Sequence, residues 1–171
     1  MKNSEELITE HGQGERIDME KYILVVLFLI QQRWTYTINH EFKDDNITTK
    51  QWLMLIVLST AFKTPPSMQE VADAMSITHQ NVKQLAVRLE SQGFIKIERD
   101  KNNKRILRLI PTEKSNEYWA KREEDHARSI KGYFKDLNDE EIVSLFHIMG
   151  KLEQLSGKMY LETKNQKNKG E

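Results

Sequence analysis

Ser76-Ile77-Thr78-His79-Gln80-Asn81-Val82-Lys83-Gln84-Leu85-Ala86-Val87-Arg88-Leu89-Glu90-Ser91-Gln92-Gly93 is the stretch that decides the fold of this 171-residue chain. Val82, Leu85, Ala86 and Leu89 recur at i, i+3, i+4 and i+7, one face of an α-helix. Thr78 suits the start, because its hydroxyl can satisfy a free backbone N–H of the first turn. Gly93 suits the end, where a left-handed conformation costs glycine little. The opposite face carries His79, Gln80, Asn81, Lys83, Gln84 and Arg88. Long donors and acceptors on a stiff rod are what reading base edges in a major groove requires. Taken alone, the stretch reads as an ordinary amphipathic surface helix. Its neighbours reverse that reading.

On the N-terminal side, Ser67-Met68-Gln69-Glu70 has the S-x-x-E form of a capping box, in which a hydroxyl and a carboxylate satisfy two free N–H groups reciprocally. Met68, Val71, Ala72 and Met75 then predict one short helix, and Ser76 and Ile77 turn into the opening stretch. On the C-terminal side the period changes. Phe94 to Arg99 alternates apolar and polar, as a half-buried strand does. Asp100-Lys101-Asn102-Asn103-Lys104 has turn chemistry, and Ile106 to Ile110 is a second apolar-rich run flanked and broken by Arg105 and Arg108. Together these predict a hairpin with a basic tip.

Further out, Thr48-Thr49-Lys50-Gln51 is another capping-box form, opening a mostly buried helix that Thr64-Pro65-Pro66 stops. Before it, a helix is expected from an Asp18 N-cap to about Lys43. Its centre, Ile23 to Ile30, is apolar on every side and must be covered on every side. That expectation calls for a second subunit. After the hairpin, a helix is expected from Thr112 to Leu137, with Glu123 and His126 interrupting its stripe. Asn138 then caps a last helix whose apolar residues, Ile142 through Met159, recur every three or four positions, as in a helix-packing seam. The fold class is mainly α with a small β-hairpin wing. Residues 1–16 read as a mobile arm, 46–112 as a winged helix-turn-helix domain, 17–45 and 113–162 as a helical dimerisation region, and 163–171 as a disordered tail.

Net charge is zero, but residues 76–111 hold eight Lys and Arg against three Asp and Glu. A basic patch on a neutral chain is the footprint of a site for phosphate or another polyanion. With no cysteine, disulfides and thiolate metal sites are excluded. The acidic, polar N-terminus is no signal peptide, and the longest apolar run, Ile23 to Ile30, is far short of the about 20 residues that span a bilayer. The expected location is the cytoplasm, with no membrane contact. No Ser/His/Asp set, Gly-rich phosphate loop or paired catalytic carboxylates stand out, so no enzyme and no cofactor are expected.

Two short helices and a strand–basic turn–strand form the layout of a winged helix-turn-helix. In it the second helix enters the major groove and the hairpin tip follows the backbone or minor groove. Thr78, His79, Gln80, Asn81 and Gln84 can bond base edges or phosphate, while Lys83 and Arg88 can neutralise phosphates. Lys101, Asn102, Asn103, Lys104 and Arg105 are the wing's candidates.

The chain here resembles the MarR-type transcriptional regulators. The resemblance rests on Thr49-x-Gln51-Trp52-x-x-Leu55, Ser67-Met68-Gln69-Glu70-Val71-Ala72 and Leu89-Glu90-Ser91-Gln92-Gly93-Phe94-Ile95. The wing segment Arg99 to Arg105 and Leu109-Ile110-Pro111-Thr112 complete it. It covers roughly Asp18 to Met159. Where the family's wing usually carries Asp-x-Arg-Arg, this chain has Asn103-Lys104-Arg105. The glycine usual beyond the Leu-Thr pair is Ser115, and Pro111 sits where that pair begins. The resemblance implies a homodimer on a near-palindromic DNA site, more often a repressor than an activator. It also implies a small-molecule effector in a crevice that Trp34, Tyr36, Trp52 and Trp119 would flank. From the sequence these aromatics read first as core and seam residues. Glu123-x-x-His126 has the i, i+3 spacing of di-metal bundles, but such sites need a second copy and extra glutamates, so no metal is expected. Two alternatives stay open: a winged-helix interaction module whose basic surface meets an acidic protein or membrane, and a metal-responsive regulator on the same scaffold.

Overall fold

A computed structural model describes residues 16–167. They fall into two compact units, one ending at Ile56 and one beginning at Val57. In the first, helix α1 (Arg16–Glu41) leads through a turn into helix α2 (Thr49–Thr60), whose last residues belong to the second unit. The turn contains Asn46 at φ 57, a left-handed conformation that asparagine tolerates better than most residues. The expected capping box is present: Thr48 N donates to Gln51 Oε1 at 2.9 Å, and Gln51 N donates to Thr48 Oγ1 at 3.3 Å. Thr49 N and Oγ1 both donate to Asn39 Oδ1, at 2.7 and 2.9 Å, which ties the start of α2 to the end of α1. Phe42 and Ile47 are buried, and the Phe42 and Trp52 rings lie 6.3 Å apart.

The second unit holds helix α3 (Met68–Ala74), helix α4 (His79–Ser91), strands β1 (Ile95–Arg99) and β2 (Leu107–Pro111), helix α5 (Glu113–Tyr133) and helix α6 (Asp139–Lys167). The strands pair antiparallel with Ile95 opposite Pro111, Ile97 opposite Leu109 and Arg99 opposite Leu107. The core is where the sequence periodicity puts it. Met68, Val71 and Ala72 of α3 are buried, as are Val82, Ala86 and Leu89 of α4, with Phe94, Ile95 and Leu109 beside them.

Gly93 closes α4 as expected. It sits at φ 79, its N–H donates to Glu90 O, and Phe94 N donates to Leu89 O, the paired bonds that satisfy a helix's last carbonyls. A Cβ there would approach the Lys114 side chain no closer than 3.4 Å, so a substitution meets backbone strain rather than a clash. Gly93→Ala should lower unfolding free energy by about 1–2 kcal/mol, the cost of a left-handed L-residue. Denaturant titration measures it.

Several boundaries differ from expectation. Helix α1 is already formed at Arg16, so Asp18 lies inside its first turn and pairs with Lys21 at 3.0 Å instead of capping. Helix α2 stops at Thr60, ahead of the prolines. A residue before proline is pushed out of the α region, and the Pro-Pro segment is used extended: Leu109 N donates to Pro66 O at 2.9 Å. Helix α5 ends at Tyr133, and Asn138 opens α6 with a full capping box, exchanging bonds with Glu141 at 2.8 and 3.0 Å. Helix α6 runs through Thr163 to Lys167, where a disordered tail is expected from the sequence. The mobile arm, apart from Arg16, and residues 168–171 lie outside the described residues. No helix among them is long and apolar enough to cross a membrane.

Candidate nucleic-acid interface

Helix α4 is held at both ends and on one face. Thr78 adopts extended geometry and its Oγ1 accepts from Asn81 N at 3.2 Å. Thr78 is thus first a cap and only then a candidate contact. Ser76, at φ 53, makes the sharp turn from α3, and Ile77 N donates to Ala72 O at 3.0 Å. The Glu90 carboxylate accepts from Ile97 N at 2.7 Å, fastening the helix to β1. With its apolar side committed, α4 presents His79, Gln80, Asn81, Lys83, Gln84 and Arg88 to solvent, all exposed. Val87 joins this face at 51% exposure. It lies one turn past Lys83, and being apolar it is not marked out by the polar pattern of that face. An exposed methyl pair among polar readers suits a thymine methyl group.

The wing turn is organised by two short side chains. Asp100 Oδ1 accepts from both Asn102 N and Asn103 N at 2.9 Å. Asn103 Oδ1 accepts from Arg105 N at 3.1 Å. The amide that replaces the family's acid therefore still orders the backbone leading to the arginine, though it carries no charge to orient the guanidinium. Lys101, Asn102, Asn103, Lys104 and Arg105 are all exposed, three cations around one turn.

The backbone N–H of Asn103, then the Arg108 guanidinium and the N–H of Asn102, hold the Asp100 carboxyl at about 2 against an ordinary 3.8. Bonds from Ser67, reinforced by Arg108, lower that of Glu70 as well. A carboxyl with a folded-state pKa below its unfolded value stabilises fully above the unfolded value and loses that contribution as pH falls through the folded one. Asp100→Asn should therefore melt below the wild type near neutrality, and the gap should close as pH falls from 3.8 toward about 2. Melting curves across that range check it.

The aromatics proposed for an effector site sit on three helices. Trp34 is on α1, Trp52 on α2 near Phe42, and Trp119 on α5, 5.0 Å from Tyr118 and 5.9 Å from His126, ring centre to ring centre. Glu123 is exposed on α5, and among the described residues no group of three or more His, Asp and Glu gathers as a metal site would need.

A capped pair of helices with an outward polar face, followed by a braced basic hairpin, defines a winged helix-turn-helix DNA-binding protein. The model of the MarR family matches residues 45–106. The uncharacterized HTH-type transcriptional regulator YybA of Bacillus subtilis (strain 168) is 32% identical over 113 residues, 64% of this chain and 73% of that protein. The organohalide-sensing regulator RdhR, solved in its 2,4-dichlorophenol-bound form, superposes with a TM-score of 0.72 at 20% identity, covering 86% of each chain. A MarR family regulator from Listeria monocytogenes, solved with a 26mer DNA, gives a TM-score of 0.71 at 22% identity over 83% of this chain and 93% of that one. This chain belongs to the MarR family. It is a DNA-binding transcriptional regulator and not an enzyme.

Proposed function

We propose that two copies of this chain pair and repress transcription from a near-palindromic operator in the cytoplasm. The observation that carries the pairing is apolar surface left open on α1 and on α6: Phe28 is 64% and Phe146 74% exposed, among many aliphatic neighbours. Patches of that kind mark an interaction surface. Residues 17–45 and 113–162 serve as the dimerisation region and 46–112 as the DNA-binding domain. Thr78 to Arg88 supply base and phosphate contacts in the major groove, and Arg105, with Lys101 and Lys104, anchors the wing. A two-fold pair of such units prefers half-sites about one helical turn, ~10 bp, apart. That the Listeria relative was solved with a 26mer DNA supports a DNA duplex as the ligand.

The 2,4-dichlorophenol-bound form of RdhR supports a small-molecule effector, whose binding here would be read by quenching of Trp34, Trp52 and Trp119 fluorescence. The test of the wing assignment is Arg105→Ala. It should weaken binding to every duplex and flatten the slope of log affinity against log salt by about 1, because one phosphate neutralisation is lost. An unchanged affinity and slope would remove the wing from the interface.

A further inference from the structure

Arg108 belongs to the basic hairpin by sequence, yet its side chain is only 28% exposed and faces acids rather than solvent. Its Nε donates to Asp100 Oδ2 at 2.8 Å. Its Nη1 donates to Glu70 Oε2 at 3.0 Å and to Pro65 O at 3.3 Å. Each acid has a second task. The other oxygen of Asp100 gathers the N–H groups of the wing turn. Glu70 Oε2 also accepts from Ser67 N, closing the capping box that starts α3. One guanidinium thus joins the wing turn, the α3 cap and the extended proline segment. The main chain secures the same junction, with Arg108 bridged to Ser67 and Leu109 N bonded to Pro66 O. Glu98, its partner across the sheet, is exposed.

We propose that Arg108 is a positioning residue for DNA binding: it fixes the wing against α3 so that Lys101, Lys104 and Arg105 reach the backbone in the same register as α4. The proposal rests on the DNA-binding reading above. A planar fork with several fixed donors can serve two carboxylates and a carbonyl at once. A lysine keeps the charge but not the fork. Arg108 touches no DNA in this account, so charge alone should not replace it.

The test is a double-mutant cycle on a duplex selected from random DNA by the wild-type protein. Arg108→Lys, with net charge unchanged, should weaken binding roughly tenfold, and Arg105→Ala should then add little further loss, as coupled sites do. Asp100→Asn should also weaken binding, although removing an acid beside a polyanion would by charge alone strengthen it. Wild-type affinity in Arg108→Lys, or an undiminished Arg105→Ala effect in that background, would overturn the proposal. A DNA-free readout separates it from the DNA-binding reading: amide hydrogen exchange at Asn102 and Asn103 should accelerate in Arg108→Lys. Unchanged exchange there overturns the positioning role. Failure of the wild type to bind any duplex, with that exchange accelerated, overturns the DNA reading while leaving the strut in place.

Discussion

Phe146→Asp should leave a folded protein that no longer pairs. Phe146 is the most exposed of the apolar residues along α6, in a row with Met149, Leu152, Leu155 and Met159. Burying a phenylalanine is worth about 2–3 kcal/mol, and a two-fold interface counts each substitution twice. Replacing it with a carboxylate removes that gain and adds an unpaired charge at the interface. The dissociation constant should therefore rise by at least roughly a thousandfold, since each 1.4 kcal/mol is tenfold. Sedimentation at micromolar concentration should show monomer for the variant and dimer for the wild type, with helical content unchanged because the side chain is 74% exposed and its ring contact, with His147 at 5.6 Å, is to a neighbour on the same helix. DNA affinity should collapse with it, since each winged unit alone holds one half-site. A dimer that persists would move the interface off α6.

Leu89→Ala should cost about 2–5 kcal/mol of unfolding free energy, the range for truncating a buried leucine. Leu89 has no exposed surface and anchors the end of α4, where its carbonyl accepts the Phe94 N–H that closes the helix. The loss is a large share of the about 5–15 kcal/mol that holds a typical domain together. Val87→Ala, two residues away on the exposed face, should cost less than about 0.5 kcal/mol and change DNA preference instead. Urea titration separates the two. Equal effects would mean that the face assignment of α4 is wrong.

What could be read in the sequence was what is local. The boxes at Thr48–Gln51 and Ser67–Glu70, the Thr78 cap and the Gly93 stop all depend on residues within five positions, and all are present. The apolar periods of α3 and α4 placed their core faces because a helix repeats over the same short range. Arg108 was different. Its partner Glu70 lies 38 residues away, so the sequence showed a cation in a basic hairpin and could not show which acids claimed it. The end of α6 follows the same logic. Thr163 to Lys167 is polar and lysine-rich, but Lys164 is held by Asp73, 91 residues earlier, at 2.6 Å. Asp18 misled in the opposite sense, since a capping residue type also serves inside a first turn, where its charge favours the helix dipole.

Of the residues proposed to face DNA, exposure was legible and geometry was not. His79, Gln80, Lys83, Gln84 and Arg88 fall opposite the apolar stripe by arithmetic alone. That Thr78 and Asn103 each commit an oxygen to the backbone, while Val87 is exposed beside the polar residues of α4, follows only from the folded turn and helix.

Base reading from α4 is tested by selecting bound sequences from random duplex DNA with the wild type and Gln80→Ala in parallel. The wild type should enrich a near-palindrome with half-sites about one helical turn apart, and Gln80→Ala should change the base preference within each half-site. No enrichment by the wild type, or an identical site selected by both proteins, would contradict base reading from α4.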